Sequence, residues 1–219
     1  MTGSAVVIND SADPANPDAY LARLPIGERP TVPTDGAPFW DIFPYEGELT
    51  VRVLQSPVLP EPPRHGEDGP ESCGQCARPD SDFLWTDEHW RLSGADAPSG
   101  LPATVLLQPR AHHDLLDLPA ELSTRLGPML QRVERAVLSL GGIGRVHVNR
   151  WGDGGAHLHL WLIARPEGLT QLRGSTLPLW MDVLPPLPAG VWAERARRIA
   201  AAMAAGGGTA PARRATCGR

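Results

Sequence analysis

The stretch that most constrains this chain is Ala156-His157-Leu158-His159-Leu160-Trp161-Leu162-Ile163-Ala164-Arg165, which follows the glycine-rich turn Gly152-Asp153-Gly154-Gly155. Its alternation with period two predicts a strand with His157, His159 and Trp161 on one face and Leu158, Leu160 and Leu162 on the other. The leucine face belongs to a core. Two histidines one strand step apart are roughly 6.6 Å apart along the backbone, so their imidazoles can approach one metal ion or one phosphate from adjacent points. The histidine face is the chemical face.

The surrounding pattern predicts the rest of the domain. Phe83 to Trp85 and His89 to Leu92 read as two short strands, and Ala103 to Leu107 as a buried strand ending at Pro109. Asp117 to Glu121 opens a helix whose apolar face is Leu122, Leu126, Met129, Leu130, Val133, Val137 and Leu140, with a kink at Gly127-Pro128 and a stop at Gly141-Gly142. Arg145 to Asn149 and Ala156 to Ala164 then form two strands across the glycine turn. A second helix runs from about Ala189 to Ala205 and stops at Gly206-Gly207-Gly208. Strands, a helix and further strands predict an α+β fold: an antiparallel β-sheet with a long helix packed on it and an extra C-terminal helix.

Outside that domain the composition changes. Residues 1–38 are rich in Pro, Asp and Ala and read as a mobile arm, with one short helix around Asp18 to Leu24. Residues 39–72 read as an extension with a strand over Glu48 to Leu54 pairing with the main sheet, followed by a break at Pro57 to Glu71. The α+β domain with its C-terminal helix occupies 73–205, and 206–219 read as a disordered tail containing Cys217.

Charge and hydropathy exclude several classes of function. The net charge of −5 and the lack of a basic run interleaved with aromatics argue against polymeric nucleic acid as a partner. No apolar run is long enough for a membrane span, and Met1-Thr2-Gly3-Ser4 has no signal-peptide pattern, so no membrane is expected and the cytoplasm is the expected location. All 20 basic residues are Arg, which removes lysine as a nucleophile or phosphate clamp.

Cys73 and Cys76 form a C-x-x-C pair. Such a turn presents two sulfurs to one ion, and His157 with either His112 or His113 would complete a tetrahedral Cys2His2 shell for zinc. The competing readings are a redox pair or two free thiols. A neutral imidazole at His159 can act as a nucleophile if its other nitrogen is held by a carbonyl.

The order Cys73-Gly74-Gln75-Cys76, then Phe83 to Leu92, then Thr104 to Pro119, then a helix, then Val146 to Pro166 resembles the histidine triad superfamily. The likeness is to its zinc-containing branch, with the nucleotide hydrolases and galactose-1-phosphate uridylyltransferase. The signature His-φ-His-φ-His-φ-φ, with φ hydrophobic, is matched at two of its three histidines. The resemblance implies a histidine-triad-like α+β fold, a structural zinc on Cys73, Cys76, His112 and His157, and His159 as the nucleophile that attacks an α-phosphate and carries a nucleotidyl group. It also implies a nucleoside phosphate or dinucleotide as ligand, Asn149 as a contact to it, and a homodimer as in many members. Gly154 and Gly155 could cradle the phosphate through their N–H groups, with Trp161 at the wall and Arg165 or Arg150 as electrostatic support. Trp161 departs from the pattern, standing where the hydrolases have His and the uridylyltransferases Gln; an indole has one donor, no acceptor and no titratable proton. Two functions follow: a nucleotidyl hydrolase or transferase, or a catalytically inactive, zinc-stabilised nucleotide-binding or interaction protein.

Overall fold

The computed structural model describes residues 24–30, 40–47, 50–95 and 97–211. The helix expected around 18–24 lies, but for Leu24, outside the described residues, as do Cys217 and 212–219. The chain divides into two compact units, residues 1–40 with 46–61, and 41–45 with 62–219. Within the first, Leu54 forms an isolated parallel bridge with Ile26, and Arg29 donates to the carbonyl of Val51. The strand expected over 48–54 does not form in its described part, and the main sheet has no such member. The alternation of Val51, Val53 and their polar neighbours supplies side chains for a strand. It does not supply a second row of backbone groups to pair with.

The second unit is built on a five-stranded antiparallel sheet in the order β1-β2-β3-β5-β4. The strands are β1 (Trp85–Thr86), β2 (Trp90–Gly94), β3 (Thr104–Pro109), β4 (Ile143–Asn149) and β5 (Leu160–Pro166). The helices are α1 (Gly74–Ala77), α2 (Ala120–Leu138), α3 (Leu177–Val183) and α4 (Ala189–Ala205). Alternation sorts the sheet residues. Trp90, Leu92, Val105, Leu107, Leu158, Leu160, Leu162 and Ala164 join one core with Leu122, Val133 and Val137 of α2 and Ala196, Ile199 and Met203 of α4. The opposite face carries Arg91, Ser93, Leu106, Gln108, His159 and Trp161. At the far end of that face Ile163 is covered by Leu101, Leu172 and Leu177 in a second, smaller cluster. One face is therefore packed by helices while much of the other is polar and available for chemistry.

Three local expectations change. The strand expected over Ala156 to Ala164 begins only at Leu160, so His157 lies in a bend and His159 in the irregular segment just before β5 rather than on the strand itself. The long helix runs unbroken through Gly127-Pro128, which lie on its exposed side. There the carbonyl freed by proline can be hydrated while Met129, Val133 and Val137 stay packed on the sheet. The tail is held as far as Thr209, which exchanges backbone hydrogen bonds of 2.7 and 2.9 Å with Thr86 on the otherwise unpaired edge of β1. Gly208 turns here with φ 75°, and a Cβ on it would stand 2.6 Å from the buried Trp85 indole, so the close approach requires glycine.

Candidate functional site

The two cysteines are delivered by a turn. Cys73 N–H donates to the carbonyl of Pro70, and Cys76 N–H donates to the carbonyl of Cys73, so both sulfurs face the same side of the one-turn helix α1. Gly66, with φ 77°, packs directly on Cys73; an added Cβ would come within 3.0 Å of the Cys73 Cβ. His112 follows the end of β3, and His157 precedes β5.

These four side chains converge. Their ligand atoms all lie within 4.8 Å of one another. Cys76 Sγ is 3.4 Å from Nδ1 of both His112 and His157, and Cys73 Sγ is 3.5 Å from Nδ1 of His157. A tetrahedral zinc with Zn–S of about 2.3 Å and Zn–N of about 2.05 Å has S···N edges of about 3.6 Å, so the donor spacing matches that ion. The second nitrogen of His157 settles its orientation, because Nε2–H donates to the Pro109 carbonyl at 2.8 Å and leaves the Nδ1 lone pair to the cluster. His113 takes a different role: its ring faces Asp117 at 3.8 Å, and its carbonyl accepts from the Leu158 N–H at 2.7 Å.

The electrostatics of the cluster favour a cation. Burial pushes the Cys76 thiol up to about 11, with Cys73 adding to the effect. Burial lowers the pKa of His157, partly opposed by its bond to Pro109 and reinforced by the neighbouring His112. One buried and one half-buried sulfur beside two imidazoles make a soft, electron-rich donor set, and a dication would stabilise the thiolate form of the cysteines.

His159 lies two residues on. Its Nδ1–H donates to the His157 carbonyl at 2.9 Å, which leaves Nε2 on the far edge of the ring with an available lone pair and no protein partner among the described residues. The ring lines a cavity of about 310 Å³ together with His65, Gln75, Arg78, Ser93, Gln108, Gly154, Gly155 and Trp161. Trp161 packs edge-on against Trp151, with centroids 5.7 Å apart.

The remaining expected contacts are distributed unevenly. Gly154 and Gly155 line the cavity. Asn149 stands beside Trp161 in the β4–β5 register but does not line it. Arg165 lies six residues beyond His159, on the order of 20 Å of extended chain, and its guanidinium lies over Gly144 while donating to Pro166. The structure does not bring it to His159, because the strand carries it to the opposite end of the sheet. Arg150 is held in a 2.6 Å ion pair with Asp114, which also binds Arg64 at 2.7 Å.

Five polar cavity residues escape sequence reading, among them Gln75 between the two cysteines. His65 falls in the proline-rich break, yet its backbone pairs with the glycine turn, donating to Gly154 O at 3.1 Å and accepting from Ala156 N–H at 2.9 Å. Arg78 follows the C-x-x-C pair and stacks on Phe83 with its guanidinium 4.7 Å from the ring. Ser93 and Gln108 are 3% and 2% exposed. The signal for these last two was a polar residue at alternate positions of otherwise apolar strands.

No protein-family model matches the chain, and no curated protein matches it in sequence. Solved structures similar to it include a Zn-bound histidine triad family protein from Mycobacterium smegmatis, 23% identical, covering 63% of this chain and 96% of that one with a TM-score of 0.46. A hypothetical histidine triad nucleotide-binding protein from Sulfolobus tokodaii is 17% identical, covering 56% of this chain and 83% of that one, with a TM-score of 0.42. A uridylyltransferase is 22% identical, covering 56% of this chain and 41% of that one, with a TM-score of 0.40. These are likenesses of fold. Among the described residues no helix is long and apolar enough to cross a membrane.

Proposed function

We propose that this chain binds a nucleoside phosphate in the cavity beside β5 and transfers its nucleotidyl group through His159, on a fold stabilised by zinc at Cys73, Cys76, His112 and His157. The observation that carries the reading is the 2.9 Å bond from His159 Nδ1–H to the His157 carbonyl, which fixes the tautomer that a nucleophilic imidazole needs. Bound zinc would act as a structural clamp, holding the His157 ring and with it the carbonyl that orients His159.

The chemistry balances in two displacements. The Nε2 lone pair of His159 forms a bond to the α-phosphorus as the bond to the leaving oxygen breaks, and the imidazolium formed is stabilised by its Nδ1–H bond. Water or an acceptor hydroxyl then attacks phosphorus, the P–N bond breaks, the electron pair returns to Nε2, and the attacker's proton passes to solvent. Trp161 has no proton to give a leaving group. Leaving groups that depart as anions fit this wall best, such as a phosphate with a second pKa of about 6. Phosphoanhydrides, including dinucleoside polyphosphates and nucleotide sugars, are therefore the preferred substrate class. In this reading Gly154, Gly155 and Arg78, which line the cavity, hold the phosphates.

The test is intact-protein mass spectrometry after incubation with diadenosine tetraphosphate or UDP-glucose. A mass increase of one nucleotidyl group on His159, absent in His159→Ala at equal zinc content, is the expected result. Binding of AMP without any labelled His159 favours the non-catalytic, nucleotide-binding alternative; absence of AMP binding refutes both.

A further inference from the structure

Gln108 lies on the polar face of β3 and is 2% exposed, yet its carboxamide Nε2 has no hydrogen-bond partner among the described residues. A buried amide left unpaired is costly and calls for an explanation. Its neighbours supply one. Arg91 pairs with Gln108 in the β2–β3 register, and the Arg91 Nε is a second buried donor without a partner. The other Arg91 nitrogens are engaged, one with Asp80 at 2.9 Å and one with the Gln75 carbonyl at 3.4 Å. On the other side, the β3–β5 register pairs Leu107 with Leu160. The ladder ends there, and Gln108 and His159, the next residue on each strand's side, line the same cavity.

Two orphaned donors in adjacent positions have a single remedy. A half-turn of the Gln108 carboxamide exchanges two atoms of nearly equal size. With Oε1 accepting from the Nε–H of its paired residue Arg91, the NH2 group would be left to the cavity that Gln108 lines. We infer that Gln108 is the donor for a non-bridging oxygen of the phosphoryl group that His159 receives, held in that orientation by Arg91.

The inference rests on the reading of His159 as the phosphate-facing nucleophile and names a residue for the same site. It also answers the chemistry at Trp161. A neutral, preorganised amide stabilises the charge that builds on phosphoryl oxygen without supplying a proton to the leaving group, so it suits substrates whose leaving group departs as an anion.

The test compares AMP, inorganic phosphate and adenosine on the full chain, using calorimetry for affinity and NMR for the side-chain amide. In the wild type, the 15N–1H amide pair of Gln108, assigned by its loss in Gln108→Met, should shift with AMP and with phosphate and stay in place with adenosine. Gln108→Met should weaken AMP by roughly ten- to a hundredfold, the range for a hydrogen bond to a charged group, and leave adenosine unchanged. Gln108→Glu should weaken AMP further through charge repulsion, with zinc content and Tm as controls for folding. Equal loss of AMP and adenosine affinity, or an amide pair that ignores AMP while AMP binds, overturns the inference and leaves the proposed function standing. A wild-type protein that binds neither AMP nor phosphate overturns both.

Discussion

Replacing Cys76 with serine tests the tetrahedral cluster most directly. Cys76 Sγ stands 3.4 Å from both imidazole Nδ1 atoms, so it shares an edge of the donor set with each histidine. A serine oxygen reaches less far and is a much poorer zinc ligand. Structural zinc sites with four ligands contribute about 10–16 kcal/mol in peptides whose folding depends on the metal. Shared equally, one ligand accounts for about 2.5–4 kcal/mol, and its loss should lower zinc affinity on the order of 10²–10³-fold. At saturating zinc the same energy appears as stability, because binding favours the folded chain. For a chain of this size that corresponds to a fall in Tm of roughly 5–15 °C. Affinity is measured by competition with a chromophoric chelator, and Tm by calorimetry with and without EDTA. In EDTA the variant and the wild type should converge. A wild-type Tm indifferent to EDTA, or a Cys76→Ser protein of unchanged zinc affinity, refutes the assignment of these four residues to one ion.

Leu162 is fully buried between β3 and β4 beneath the helices, and Leu162→Ala should destabilise the protein by about 3–5 kcal/mol in urea unfolding; a loss below about 1 kcal/mol contradicts the two-layer core. Burial alone would raise the pKa of Asp114, but its hydrogen bonds to Arg64 and Arg150 win and bring it down to about 2. A carboxyl near 2 when folded and about 3.9 when unfolded contributes stability above pH 4 that is lost as the pH falls toward 2. Asp114→Asn should therefore lower stability at pH 6 and flatten its decline between pH 4 and 2, measured by thermal melts across that window; parallel pH curves for the two proteins contradict this.

The legible part of the fold was the part with a strict period. Leu158, Leu160 and Leu162 alternate because one face must be buried, and the structure buries all three. The boundaries of the C-terminal helix were marked by Pro188 before it and Gly206 after it. Where the pattern was carried by side chains alone, as at Val51 and Val53, it did not report whether a partner strand would be present. Legibility of the site followed the same rule. The convergence of Cys73, Cys76 and His157 with one of His112 and His113 could be foreseen from residue types with strong chemical preferences, while the choice of His112 followed from the resemblance to the histidine triad superfamily. The pairing of His65 with Gly155 could not, since proline-rich sequence forecasts the absence of regular structure and is silent on a single long-range bridge. Gln108 was hidden in a run read as a buried strand, where a polar residue signals only once its missing partner is known.

The two halves of the site are joined by one peptide unit. His157 presents its ring to the cysteines and its carbonyl to His159 Nδ1, at 2.9 Å. A displacement of the His157 backbone would move both its ring and that carbonyl, and His159 would lose its support. Under the proposed function the zinc-holding cluster and the phosphate-facing imidazole are thereby linked through two residues of backbone, with the Pro109 carbonyl holding the His157 ring from the other side. In this arrangement the order of the strand matters more than its composition. His157 must point into the domain and His159 into the cavity. His157 lies in the bend before β5 and His159 just ahead of the strand, and each ring meets different surroundings: buried sulfur at the first, open space beside Gly155 at the second. Trp161, the third residue of the series, meets Trp151 and the cavity wall, which makes it a surface for a ligand to rest against and leaves proton supply to water.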